Sequence, residues 1–305
     1  MVYNRGLHWF AVFTACATFL LLVVGALVTS NDAGLSVPDW PLSYGSLTPP
    51  MVGGIVYEHT HRMVASGVGL LTIVLAVWLW RRESRKWVRR LGLVALGAVI
   101  TQGLLGGLTV LLSLPPVVSI FHACLAQLFF CLTVTIAVVT SPGWRDGTAP
   151  ISRYLMPAIT TLGLYLQLIL GATLRHAGTV NGDKAAEFVL SAFIAHIVGA
   201  FVVTVLVVCL GLQLANPSRS TSSLLPAFGL FSLLVIQLLL GIASYLTRLK
   251  AVEGGEPAAI GVFFTACHLG VGAAMLATSL VATLQESRRI QPTPIIYEKL
   301  TASPT

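Results

Sequence analysis

The chain has 305 residues, of which 56% are hydrophobic and only 10% charged, and its formal net charge is +7. A water-soluble domain of this size needs far more polar side chains to cover its surface, so a soluble enzyme or soluble binding module is excluded and lipid is the expected solvent. The excess positive charge lies in short segments between apolar runs, which reads as anchoring at a lipid surface and not as a nucleic-acid interface.

Crossing a hydrocarbon core of about 30 Å takes roughly 20 helical residues. Apolar runs of that kind predict eight helices, near residues 8–30, 59–80, 89–112, 117–140, 152–176, 187–215, 222–248 and 258–284. The first follows Arg5 and stays apolar from Leu7 to Val28, longer than the core of a signal peptide, so it is read as a spanning helix. No Arg-rich, Ser-rich transit segment precedes it, which makes a bacterial plasma membrane the expected location. After it comes the longest loop, residues 31–57, containing Trp40, Tyr44, Pro38, Pro41, Pro49 and Pro50. Such a loop is either an ordered cap or an aromatic belt at the membrane interface.

The second run opens with Glu58-His59-Thr60-His61-Arg62, and the segment that follows it, Arg81 to Arg90, has six basic residues against one acid. Arg5, Arg145, Arg153, Arg219, Arg288 and Arg289 fall on the same side as that segment, and cytoplasmic loops hold the excess of Lys and Arg. Both termini are therefore expected in the cytoplasm, with Asp32, Asp39, Asp183, Glu187, Glu253 and Glu256 outside. The five cysteines, Cys16, Cys124, Cys131, Cys209 and Cys267, all fall inside apolar runs. They read as packing residues, and no disulfide framework is expected.

The second four helices echo the first. His61 and Gln102 return 135 positions later as His196 and Gln237, while Gly25 and His122 return 146 positions later as Gly171 and His268. Gln-x-x-x-Gly occurs in the third, fifth and seventh helices as Gln102/Gly106, Gln167/Gly171 and Gln237/Gly241. The expected fold is all-α and integral to the membrane, eight helices in two tandem four-helix repeats, 1–147 and 148–305. Each repeat then carries two histidines near the outer end of its even-numbered helices.

An ionisable residue inside a membrane helix is costly and marks a functional site by default, although a single such histidine is often only a hydrogen-bonded packing residue. Four in register call for one ligand chemistry. Haem iron suits facing imidazoles between apolar helices, whereas zinc usually wants cysteine or carboxylate help and only the first pair has an acid nearby. The residues one turn on, Ala65, Ala126, Ala200 and Gly272, are small and leave room for a flat macrocycle. Glu58 shares a helix face with His61, whereas the second repeat has no acid at the matching place. The first repeat is thus the candidate reaction site and the second the candidate redox site. Glu58 could equally pair with Arg62, four residues on, as a structural ion pair.

With Glu58-x-x-His61-Arg62, single histidines at His122, His196 and His268, and Asp39-Trp40-Pro41 in the outer loop, nearly the whole chain resembles the haem A synthase family. That resemblance implies oxidation of a methyl of haem O to the formyl of haem A, through an alcohol and a gem-diol that loses water. It implies His61 and His122 flanking the substrate haem, His196 and His268 ligating a resident haem b, and Glu58 as the catalytic acid. It further implies a haem O synthase as supplier and a membrane or periplasmic electron acceptor; a homo-oligomer is left open. One departure stands: many bacterial members have a cysteine pair in the first outer loop, and residues 31–57 contain none. The rival readings are a di-haem b-type electron-transfer protein and a haem carrier that binds without oxidising.

Overall fold

The computed structural model describes residues 3–144, 150–177, 185–216, 224–254 and 259–288. Among these residues the chain forms eight α-helices: α1 (Arg5–Ser30), α2 (Gly54–Arg82), α3 (Lys86–Leu111), α4 (Pro116–Val139), α5 (Ile151–Ala177), α6 (Ala185–Ala215), α7 (Leu224–Gly254) and α8 (Ala259–Glu286). All eight are long and apolar enough to cross a membrane. Their outward faces stay apolar, with Leu225 81% and Phe201 71% exposed, as a lipid-solvated surface requires and an aqueous one does not tolerate at this density.

Two helices differ from the ranges expected from sequence. α2 starts at Gly54, five residues before the apolar run does, so Glu58 and His59 sit inside the helix instead of at its opening. Position 53 supplies the turn that lets the chain enter the helix there: it has φ +54°, a conformation open to glycine. α7 continues to Gly254 although its apolar span ends near Thr247. Hydropathy reports where lipid ends, whereas a helix stops only where its backbone bonds do.

Packing groups the helices in fours. α1 touches α2 and α4, and α3 touches α2 and α4; α5 touches α6 and α8, and α7 touches α6 and α8. The two groups meet where α1 packs on α8 and where α4 packs on α5 and α8. Each group has its own core, one around Leu75, Leu79, Val88 and Ile136 and the other around Val207, Leu210, Leu230 and Leu276. A third, smaller cluster of Leu22, Phe130 and Ala273 lies between α1, α4 and α8. A polar link reinforces the seam, since polar groups in lipid must find partners inside the protein. The Tyr165 hydroxyl on α5 donates across the seam to the carbonyl of Cys124 on α4 at 3.3 Å, while within the second foursome Thr161 Oγ1 lies 2.9 Å from Ser279 Oγ.

The loop between α1 and α2 is an ordered cap. Ala33, Val37 and Ser43 are buried within it. The Asp39 carboxylate accepts the amide N–H groups of Tyr44 and Gly45, both at 2.7 Å, and the Tyr44 hydroxyl donates to the Ser36 carbonyl at 2.7 Å. Trp40 lies flat against α3 at Gly107, where a Cβ would come within 2.8 Å of its indole. The indole rests on that face because there is no side chain in the way.

Candidate functional site

Each of the four histidines is held inside a single helical hairpin. His61 on α2 faces Gly25 on α1, His122 on α4 faces Gly106 on α3, His196 on α6 faces Gly171 on α5, and His268 on α8 faces Gly241 on α7. A Cβ built on these glycines would lie 3.1, 3.3, 3.2 and 3.1 Å from the respective imidazole Cε1. Glycine is what lets each ring lie flush against the neighbouring helix. Counted from the helix starts at 1.5 Å per residue, the rings sit roughly 9 to 16 Å along their helices.

Three of the rings also meet a glutamine one turn before the glycine. The Gln102 side-chain amide lies 3.1 Å from His122 Nδ1 and donates to the His122 carbonyl at 2.9 Å. Gln167 makes the same pair of contacts with His196, at 3.1 and 2.8 Å. On α8 the arrangement turns over: His268 Nδ1 faces the main-chain carbonyl of Gln237 at 3.2 Å, and the Gln237 amide nitrogen lies 3.3 Å from Nε2. The motif is visible in the sequence, but its partner is not, because the contact runs to the next helix. Gly272, one turn beyond His268, lies against the Gln237 amide, so its small size makes room for that glutamine.

The geometry bears on whether haem fits. His196 and His268 have ring centroids 6.4 Å apart. Two metal–nitrogen bonds of about 2 Å each plus the half-width of each ring account for a separation of that size. His61 and His122 lie within electrostatic reach of one another. Among the described residues, His61 Nδ1 and the Oε1 atoms of Gln102, Gln167 and Gln237 are buried without a hydrogen-bond partner. Buried polar atoms are costly unless satisfied. An imidazole that gives its other nitrogen to iron has an Nδ1–H to donate, which is what the Gln102 and Gln167 oxygens lack. The donor set of the second foursome, two imidazoles at that separation, is of the kind that suits a haem group, and the first foursome carries the same pair of residue types. No group of three or more metal-ligating side chains gathers among the described residues, which argues against a zinc-type centre.

Glu58 lies 4% exposed at the base of the cap. One carboxylate oxygen accepts from Arg62 at 2.5 Å and the other from the Val37 amide at 2.8 Å. The ion pair with Arg62 that the spacing allowed is thus formed, on the same helix as His61. Arg62 further donates to the carbonyls of Asp39, Leu42 and Val37, at 2.7, 2.5 and 3.1 Å. Its guanidinium is committed to the cap. Arg175 donates to the Thr29 carbonyl and reaches Asp32. His59 points away from His61, with Nδ1 2.9 Å from Ser43 Oγ, and so acts as a second tether for the loop. All five cysteines are unpaired.

Comparison with known proteins places these residues in context. The family model described as cytochrome oxidase assembly protein, COX15-CtaA, matches residues 8–53 and 54–254. The chain is 29% identical over 269 residues to a protein of Shouchella clausii named heme A synthase, an alignment covering 80% of this chain and 88% of that one. The protein of the same name from Symbiobacterium thermophilum is 32% identical over 221 residues, covering 65% and 72%. That from Lysinibacillus sphaericus is 32% identical over 184 residues, covering 58% of this chain and 60% of the relative.

Proposed function

Because the chain belongs to the COX15-CtaA family of cytochrome oxidase assembly proteins, we propose that it is a haem A synthase, a multi-pass membrane oxidoreductase acting on a methyl group of haem O. The observation that carries this reading is the fourfold pairing of histidine with glycine, two pairs in each helix foursome, with a buried carboxylate beside one of them. In this reading His61 and His122 flank the substrate haem, and His196 and His268 hold a resident haem b. The haem b supplies one-electron redox chemistry when bound.

The chain's own residues supply shape and proton handling. Apolar helix faces surround the rings, and the cap closes the outer end of α2 over His61. Glu58, three residues before His61, is the one carboxylate among the described residues placed to exchange protons near the substrate while Arg62 steadies its charge. The second foursome has Phe193 and Ile194 in the corresponding stretch, with no acid. In this reading the cap lies outside and both termini inside, which the Lys and Arg asymmetry supports, and the membrane is a bacterial plasma membrane, in keeping with the bacterial relatives. Haem O then arrives from a haem O synthase, and electrons leave to a membrane or periplasmic acceptor.

A second reading has one observation in its favour. Both Glu58 oxygens are already engaged, by Arg62 and by the Val37 amide, as a purely structural carboxylate would be. A di-haem electron-transfer protein would need nothing more of it. Purifying the protein from cells that make haem O, with a visible spectrum and mass analysis of the extracted haems, separates the two. Haem b accompanied by haem A or its hydroxylated precursor supports the synthase; haem b alone supports the electron-transfer protein.

A further inference from the structure

The fourfold pattern is broken at one place. Gln102, Gln167 and Gln237 each stand one turn before the glycine that faces a histidine, and on α1 the residue in that register, one turn before Gly25, is Leu21. Leu21 packs into the core of the first foursome. His61 accordingly has a buried Nδ1 with no hydrogen-bond partner, whereas His122, His196 and His268 all have one.

The difference has a chemical meaning for a metal ligand. A ligating imidazole is fixed in tautomer and orientation by the hydrogen bond its second nitrogen makes, and removing such a partner typically weakens the metal site about 10- to 100-fold. Gln102 and Gln167 bring an amide to within 3.1 Å of Nδ1, and each has an unused buried oxygen. Rotation of the amide presents that oxygen to an Nδ1–H, exchanging the bond that its nitrogen now donates to the histidine's own carbonyl for one to the ring. His268 is already served by the Gln237 carbonyl.

We propose that the side chains of Gln102 and Gln167, and the main-chain carbonyl of Gln237, hold three of the four histidines for iron, and that Leu21 leaves His61 as the exchangeable ligand of the first site. This rests on the reading of the four histidines as haem ligands. It assigns a sense to the asymmetry: the second site is held on both sides, as suits a resident group, and the first on one side only. A haem that enters as substrate and leaves as product is then released from the His61 face.

The test uses the full-length, haem-loaded protein, reduced and mixed with carbon monoxide, with binding followed in the visible spectrum. Wild type should take up carbon monoxide at the first-site haem and not at the second. Leu21→Gln gives His61 the missing partner and should slow that uptake about tenfold or more, while Gln167→Leu should open the second haem to the gas. A residue that merely packs would not produce a gain of ligand strength. Unchanged uptake in Leu21→Gln together with a closed second site in Gln167→Leu would overturn the proposal. Should Leu21→Gln fail to fold, Gln167→Leu decides it on its own: an opened second haem supports the proposal and a closed one overturns it. Retention of both haems after replacing His61 and His196 by alanine would instead bring down the ligand reading itself.

Discussion

Gly25 and His61 sit so close that a single methyl on the glycine would stand 3.1 Å from the imidazole Cε1. Gly171 and His196 repeat the relationship at 3.2 Å. Such a contact is tighter than a side chain tolerates without shifting, and the ring is what shifts. Gly25→Ala should lower haem occupancy of the first site and spare the second, while Gly171→Ala should do the reverse. A loss of about tenfold in affinity is expected for a displaced ligand. The haem content of each site in the two purified variants checks it, the haems being told apart by mass; wild-type content at both sites in both variants would remove the glycines from the site.

Glu58 has two duties that substitution can separate. Glu58→Gln keeps one acceptor oxygen, enough for either the Val37 amide or Arg62, but has no carboxylate, and it should abolish haem A formation while leaving the cap tied through that one bond. Glu58→Ala should abolish product and also expose the loop around Asp39 to protease. Continued product formation in Glu58→Gln would end its assignment as the catalytic acid.

Arg62 serves four acceptors at once, Glu58 and three loop carbonyls. Removing one partner of a buried ion pair costs about 3–5 kcal/mol, so Arg62→Ala should lower thermal stability and loosen the cap together. Arg62→Lys should rescue little, because a lysine lacks the planar fork that reaches several oxygens. Thermal unfolding in detergent and limited proteolysis between residues 37 and 46 measure the two effects.

The cap should also respond to acid through Asp39. The amide N–H groups of Gly45 and Tyr44 hold its carboxyl below the ordinary value of 3.8. A carboxyl whose acidity is increased by folding stabilises the folded loop fully above pH 3.8, and that contribution fades as pH falls through the lower, folded value. Hydrogen exchange at the Tyr44 and Gly45 amides, corrected for intrinsic rates, should show protection falling in that acid range. Asp39→Asn should remove the dependence; an identical profile would mean the turn is held by something else.

The sequence makes the eight spans legible because lipid imposes one rule on every residue that touches it. The histidines and Glu58 stand out for the same reason, as ionisable groups in apolar runs. What escapes sequence reading are contacts whose partners lie on another element. The hold of Arg62 on the carbonyls of Val37, Asp39 and Leu42 spans 20 to 25 residues and runs to main-chain atoms, which have no residue-type signature. Gln-x-x-x-Gly is visible as a motif, yet its object becomes clear only when α3, α5 and α7 lie beside the helices that follow them. The early start of α2 was hidden because Val52 to Tyr57 follows two prolines, contains two glycines and reads as loop.

The hairpin construction bears on how such a protein is made. Gln102 and His122 are 20 residues apart, Gln167 and His196 are 29, and Gln237 and His268 are 31, always on consecutive helices. Every ligand-orienting contact can therefore form as soon as one pair of helices has entered the bilayer, before later pairs have been synthesised. Biogenesis then leaves the meeting of pairs into foursomes, and of the foursomes along α1, α4, α5 and α8, to the final stage. Haem capture becomes an event of late assembly, at a site whose halves arrive already aimed.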